Sequence, residues 1–168
     1  MTFTPRDYQL AAVDAVERYF DSGRAGSPLV EVPTGGGKSA IIGLLVRRAV
    51  EDWGIRVAVV THRKELIEQD ARAITSVWPD APIGIYSAGL GSRDVSRITI
   101  AGVQSVAKKA HVLGRVQLMI IDEAHLVSPE EGTSYHKLIS SLREEEDMRL
   151  VGLTATPYRL GQGMLTSG

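Results

Sequence analysis

Along this chain, short β-branched runs alternate with longer stretches in which apolar residues return every three or four positions. The runs are Leu29–Val32, Arg56–Val60, Ile83–Tyr86, Ile98–Ile100, Leu118–Ile121 and Leu150–Leu153. Several are apolar almost throughout, as strands covered on both faces must be. The longer stretches predict helices. The first runs from about Arg6 to Phe20, with Leu10, Ala12, Val13, Val16 and Tyr19 at helical spacing. The others cover roughly Lys38–Trp53, Arg63–Trp78, Gln104–Ala110 and Tyr135–Glu144. Glycine and proline mark the joints, most densely at Gly35–Gly37. Strands alternating with helices imply right-handed crossovers, and so an α/β fold: a mostly parallel sheet with helices on both faces.

Composition narrows the possibilities. With 168 residues, 43% of them hydrophobic and 23% charged, the whole chain fits one domain with a real core. It has no cysteine, which removes disulfides, thiolate metal sites and cysteine nucleophiles. No apolar run reaches the ~18 residues of a membrane span. The start, Met1-Thr2-Phe3-Thr4-Pro5-Arg6, lacks the basic-then-apolar order of a secretory signal. A soluble, cytoplasmic domain is expected. Lys+Arg 19 against Asp+Glu 20 leave a net charge of -1. A module that gripped nucleic acid by bulk charge would be strongly basic, so any such binding must be local and shared with groups outside these residues.

Two segments carry chemistry. Pro33-Thr34-Gly35-Gly36-Gly37-Lys38-Ser39 follows a predicted strand and opens a predicted helix, the context a phosphate-binding loop needs. Three glycines let the backbone turn its N–H groups inward as an anion nest at a helix N-terminus. Lys38 can then neutralise β- and γ-phosphates, and the Ser39 hydroxyl can ligate Mg²⁺. The general motif has glycine where this chain has Val32. The second segment is Leu118–Ile121 followed by Asp122-Glu123-Ala124-His125. A buried strand ending in two carboxylates delivers them to the carboxyl edge of the sheet, where ligands of open α/β sheets bind. Asp122 can hold Mg²⁺, and Glu123 can orient and deprotonate an attacking water. Alone, such a pair would as readily cap a helix; beside the Lys38 loop it points to a nucleotide.

Together, Gly35–Ser39, Asp122–His125 and Thr154-Ala155-Thr156-Pro157 resemble motifs I, II and III of superfamily 2 helicases of the DEAD/DEAH type, in the order found in their first RecA-like domain. Val32 stands where that superfamily usually has alanine or glycine. Arg6-Asp7-Tyr8-Gln9 is similar to the upstream adenine-recognition motif, which implies that Gln9 reads the adenine and Arg6 packs near it. Thr61–Leu66 with Gln69 resembles motif Ia, and Gly102–Val106 the next strand-facing segment. The wording of Leu153–Gly161 is closest to RadD-type DNA-repair helicases and to type III restriction motor subunits. The resemblance implies an ATP- and Mg²⁺-dependent DNA helicase or translocase, in repair or recombination. It also implies a second RecA-like domain, beyond these residues, that supplies arginine fingers. The alternatives are a restriction or remodelling motor that translocates without unwinding, and an ATP-binding switch that does not act on nucleic acid.

Other residues take their roles from this frame. Thr61, His62, Arg63, Gln104 and Ser105 lie just past strand ends and would touch a DNA strand's backbone, giving register without sequence reading. Thr154, Thr156 and His125 would relay nucleotide state to the second domain. His111 and His136 have no chemical context. Trp53 and Trp78 are expected to seal the core, and the acidic run Glu144–Asp147 to face solvent.

Overall fold

The computed structural model describes residues 4–23, 27–32, 37–123, 129–145 and 148–154. The elements follow in the order α1 (Asp7–Asp21), β1 (Leu29–Glu31), α2 (Lys38–Glu51), β2 (Val57–Thr61), α3 (Lys64–Val77), β3 (Ile83–Ser87), β4 (Ser92–Arg93), β5 (Ile98–Gly102), α4 (Val103–Val106), β6 (Leu118–Asp122), α5 (Pro129–Glu145) and β7 (Arg149–Thr154). The seven strands form one sheet in the order β1-β7-β6-β2-β5-β3-β4. Every pairing is parallel except that of β4 with β3. This is the expected mostly parallel α/β architecture.

The pleat sorts the core into two layers. On β2, β5, β6 and β7, Val57, Val59, Ile98, Ile100, Leu118, Ile120, Val151 and Leu153 pack with Val13 and Val16 of α1, Ile41, Ile42 and Leu45 of α2, and Ile67 and Ile74 of α3. The alternate residues, Ala58, Val60, Ala101, Met119, Ile121 and Leu150, pack with Val103 and Val106 of α4 and Tyr135, Leu138 and Leu142 of α5. Because side chains alternate along a strand, the parity of β6 is consequential. Leu118 and Ile120 face the α1–α3 layer, and Asp122 continues that series toward α2 and α3.

The helix expected over Gln104–Ala110 is interrupted. One turn, Val103–Val106, is followed at Ala110–Leu113 by a 3-10 turn, with Lys109 between them out of the helical region at φ -144, ψ 51. Its buried positions, Val103, Val106, Ala110 and Leu113, keep a helical rhythm across two short turns. Helix α5 starts at Pro129, earlier than Tyr135, since its polar first turns carry no apolar period and proline suits a first turn. The side chains of the acidic run Glu144–Asp147 fall outside the described residues. Val32, where the loop motif has glycine, is buried in the first core layer, and its N–H still bonds Thr154 O at 2.9 Å. Trp53 and Trp78 pack against the same layer, Trp53 also donating through Nε1 to Glu17 at 3.1 Å. His111 and His136 are exposed. Among the described residues no helix is long and apolar enough to cross a membrane.

Candidate nucleotide-binding site

Three segments meet at the carboxyl edge of β6. Gly37 precedes α2 in the left-handed region (φ 76, ψ 43), a conformation glycine adopts without a Cβ penalty. The next residue, Lys38, therefore enters the first turn of α2 aimed across the sheet edge. Its ammonium lies 2.5 Å from Asp122 Oδ1 and donates to Glu123 Oε1. Asp122 is fully buried, Lys38 is 8% exposed and Glu123 14%. Glu123 itself has φ 58, a left-handed backbone in a non-glycine residue. Such a conformation costs about 1–2 kcal/mol, and the polypeptide tolerates it where a side chain must be turned to a particular place.

The electrostatics follow from burial. Desolvation opposes the Lys38 ammonium, but the charges and hydrogen bonds of Asp122 and Glu123 outweigh it, holding its pKa above the ordinary lysine value. Behind them sits a third acid. Asp70, on α3, is fully buried, accepts a hydrogen bond from Ser39 Oγ at 3.3 Å and faces Asp122. Burial first, then the hydrogen bond and negative charge of Asp122, push its pKa up to about 9, with Lys38 and Ser39 pulling the other way. Gln69, its neighbour, donates from Nε2 to the same Ser39 Oγ at 3.0 Å.

The residues present fit a hard divalent cation held partly by phosphate. Both Asp122 oxygens and Asp70 Oδ2 are buried without a well-directed hydrogen bond. The available donors, carboxylate and hydroxyl, are all oxygen, which suits Mg²⁺. Among the described residues no three His, Cys, Asp or Glu side chains form a self-sufficient metal cluster.

The adenine-motif residues are joined to this loop. Gln9 is buried on α1, and its Oε1 accepts from Arg6 N–H at 2.9 Å, a capping interaction that fixes the amide. A Cβ on Gly37 would come within 2.5 Å of Gln9 Nε2, so the amide rests directly on the glycine. Arg6 is exposed. Thr154 is buried one residue beyond Leu153, which pairs in register with Asp122. Pro33, Thr34, Gly35, Gly36, His125 and Thr156 lie outside the described residues.

The proposed DNA-facing residues fall farther along the edge, past β2 and β5. Arg63 and Gln104 are exposed, and His62 is half-buried. Thr61 is fully buried, with its Oγ1 3.4 Å from Arg63 N–H, where it shapes the turn into α3. Ser105 Oγ accepts from Ala88 N–H at 3.0 Å and pins the turn after β3. Sequence reasoning missed Asp70, although a carboxylate at a helical core position is a visible signal. It placed Gln69 in the motif Ia resemblance but did not foresee its contact with Ser39.

The family model described as type III restriction enzyme, res subunit, matches residues 2–159. The chain belongs to that family. Among curated proteins this family member is 28% identical over 170 residues to a Schizosaccharomyces pombe protein named "Putative mitochondrial ATP-dependent helicase irc3", covering 95% of the chain and 27% of that protein. It is 29% identical over 132 residues to a 51.5 kDa protein of a Lactococcus phage, covering 79% of the chain and 25% of the relative. The chain thus spans about a quarter of the length of either relative. Among solved structures it resembles the UvsW helicase of bacteriophage T4, with TM-score 0.70, 22% identity, and coverage of 96% of this chain and 55% of that one. It also resembles the Sulfolobus solfataricus SWI2/SNF2 ATPase core in complex with dsDNA, with TM-score 0.69, 13% identity, and coverage of 96% and 34%. These structural likenesses show the fold: the mostly parallel α/β domain shared with that helicase and that ATPase core.

Proposed function

We propose that this domain binds MgATP at the carboxyl edge of β1, β7 and β6 and hydrolyses it, when joined to a second RecA-like domain, to move a DNA-bound motor. One observation carries the reading: Lys38, first residue of the helix after the glycine loop, lies between Asp122 and Glu123 at the end of β6. An ammonium held by two carboxylates is poised to exchange them for phosphate oxygens. The loop's N–H groups and Lys38 would carry the negative charge of the triphosphate. Ser39 and Asp122 would hold Mg²⁺, whose part is to neutralise charge on the β- and γ-oxygens. Glu123, turned by its left-handed backbone, would orient the attacking water and take its proton. Gln9 and Arg6 would meet the adenine edge.

Arg63, His62 and Gln104 would contact a strand's backbone, since exposed polar groups past strand ends give position without reading sequence. Thr154, Thr156 and His125 would pass nucleotide state to the second domain, whose arginines would contribute the ~10³–10⁵ in turnover that such fingers supply in GTPases. A cytoplasmic role in DNA repair or recombination agrees with the wording of Leu153–Gly161. The second reading, translocation without strand separation as in restriction, is favoured by the family's own description. The test is ATPase activity of the full-length protein with and without single- and double-stranded DNA. Stimulation by DNA is expected, and turnover indifferent to DNA would overturn the motor reading. A strand-displacement assay on the same protein separates unwinding from translocation.

A further inference from the structure

We propose that Asp70 is a positioning residue of the nucleotide site, holding Ser39 and Asp122 in fixed relation from the buried face of α3. The inference rests on the reading of Ser39 and Asp122 as the magnesium ligands. Its starting point is a misfit in the helix pattern. The buried positions of α3 are Ile67, Asp70, Ile74 and Val77, a regular apolar stripe broken by one acid. Burying a carboxyl group is costly unless its hydrogen bonds are made, and an aliphatic residue would continue the stripe without that cost. The acid at this position is explained by what it reaches.

It reaches two groups on two other elements. Its Oδ1 accepts from the Ser39 hydroxyl at 3.3 Å, on the first turn of α2. Its Oδ2 accepts no hydrogen bond and belongs to a carboxyl that faces Asp122, at the end of β6. One planar group thus spans both, accepting from Ser39 on one oxygen and turning the other toward Asp122. Gln69 completes the arrangement by donating to Ser39 Oγ at 3.0 Å, so the hydroxyl both gives and receives a hydrogen bond. A hydroxyl has two lone pairs, so one remains for a cation. Asp70 touches neither phosphate nor metal in this scheme. It fixes the rotamers of the two side chains that would, and it does so from the helix that begins beside Arg63.

The experiment measures binding of a fluorescent ADP analogue to the full-length protein, once with Mg²⁺ and once with EDTA. The variants are Asp70→Leu, which restores the apolar stripe, and Asp70→Asn, which keeps an acceptor for Ser39 and a polar group of the same shape toward Asp122. Asp70→Leu is expected to lose about tenfold or more of the Mg²⁺-dependent gain in affinity, as loss of a ligand-orienting partner does, with affinity in EDTA unchanged. Asp70→Asn is expected to keep that gain. Should Asp70→Leu not fold, judged by its thermal transition, Asp70→Ala reads the same ratio. A wild-type Mg²⁺ gain in the leucine or alanine variant would overturn the proposal, as would an asparagine variant as defective as leucine. Ser39→Ala separates the two levels. If it loses the Mg²⁺ gain and Asp70→Leu does not, only the role of Asp70 falls; if wild type and Ser39→Ala show the same Mg²⁺ dependence, the nucleotide-site reading falls with it.

Discussion

The two ends of one sheet edge are built on opposite plans. Around β6, Lys38, Asp70 and Asp122 are buried together, Lys38 paired with Asp122 and Asp70 bonded to Ser39, and Glu123 holds a left-handed backbone. Past β2 and β5, Arg63 and Gln104 are exposed, and Gln104 Oε1 accepts from the Ser134 hydroxyl at 3.5 Å. The difference follows from what each end would hold. A compact, highly charged ligand is stabilised most by groups fixed in advance in a site poor in water, because they need not reorganise when charge arrives. A polyanion of repeating phosphates is held by many weak contacts, each adding little and none needing exact placement. The first plan makes single substitutions severe; the second makes them mild.

The most severe should be Lys38→Ala. It removes the cation from between Asp122 and Glu123 and leaves a buried carboxylate without its partner, which costs about 3 kcal/mol or more in comparable sites. Calorimetric titration with MgATP is expected to show no binding, and denaturant unfolding a lower midpoint. Glu123→Gln should divide the site differently. The amide keeps size and contacts but cannot take a proton, so binding is retained while turnover of the full-length protein falls ~10²–10⁴-fold. Steady-state ATPase beside titration checks this; unchanged turnover would remove Glu123 from the chemistry.

A milder change acts through backbone. Gly37→Ala places a Cβ in the left-handed region and within 2.5 Å of Gln9 Nε2. The conformational part alone is about 1–2 kcal/mol, so nucleotide affinity is expected to fall ~tenfold as the loop and Gln9 move apart. A variant that binds as wild type would show that neither the φ of Gly37 nor the Gln9 contact matters.

Much of this was legible in the residues. The β-branched runs marked six of the seven strands, and the apolar run Leu118–Ile121 ending in two acids placed those acids at the carboxyl edge of the sheet. The convergence of the glycine loop with the acid pair followed from both being strand ends on one edge. What escaped was of two kinds. β4 is two residues long, Ser92–Arg93, too short to carry a period. Asp70 lies where the pattern asks for an aliphatic side chain, and local periodicity registers a polar residue there as an interruption; only the tertiary neighbours, from α2 and β6, give it meaning. Thr61 is a case of the opposite kind. Its place after a strand end fits a strand-facing role, yet parity turns it into the layer under α3, where it is fully buried.

The smallest effects are expected at the exposed end, and they sharpen the contrast most directly. Arg63→Ala and Gln104→Ala should each weaken DNA binding by the full-length protein only about threefold, because each removes one contact among many. The two should differ in salt dependence. Loss of the Arg63 charge is expected to reduce the slope of log K against log salt by about 0.9, the value for one phosphate neutralised, whereas loss of the uncharged Gln104 should leave it unchanged. Nucleotide affinity without DNA should be unaltered in both, since neither side chain approaches the Lys38–Asp122 pair. Fluorescence anisotropy across a salt series reads all three quantities. A large loss of DNA binding from either substitution would mean that this end too depends on a preorganised site, and the division of the edge into a rigid half and a compliant half would be wrong.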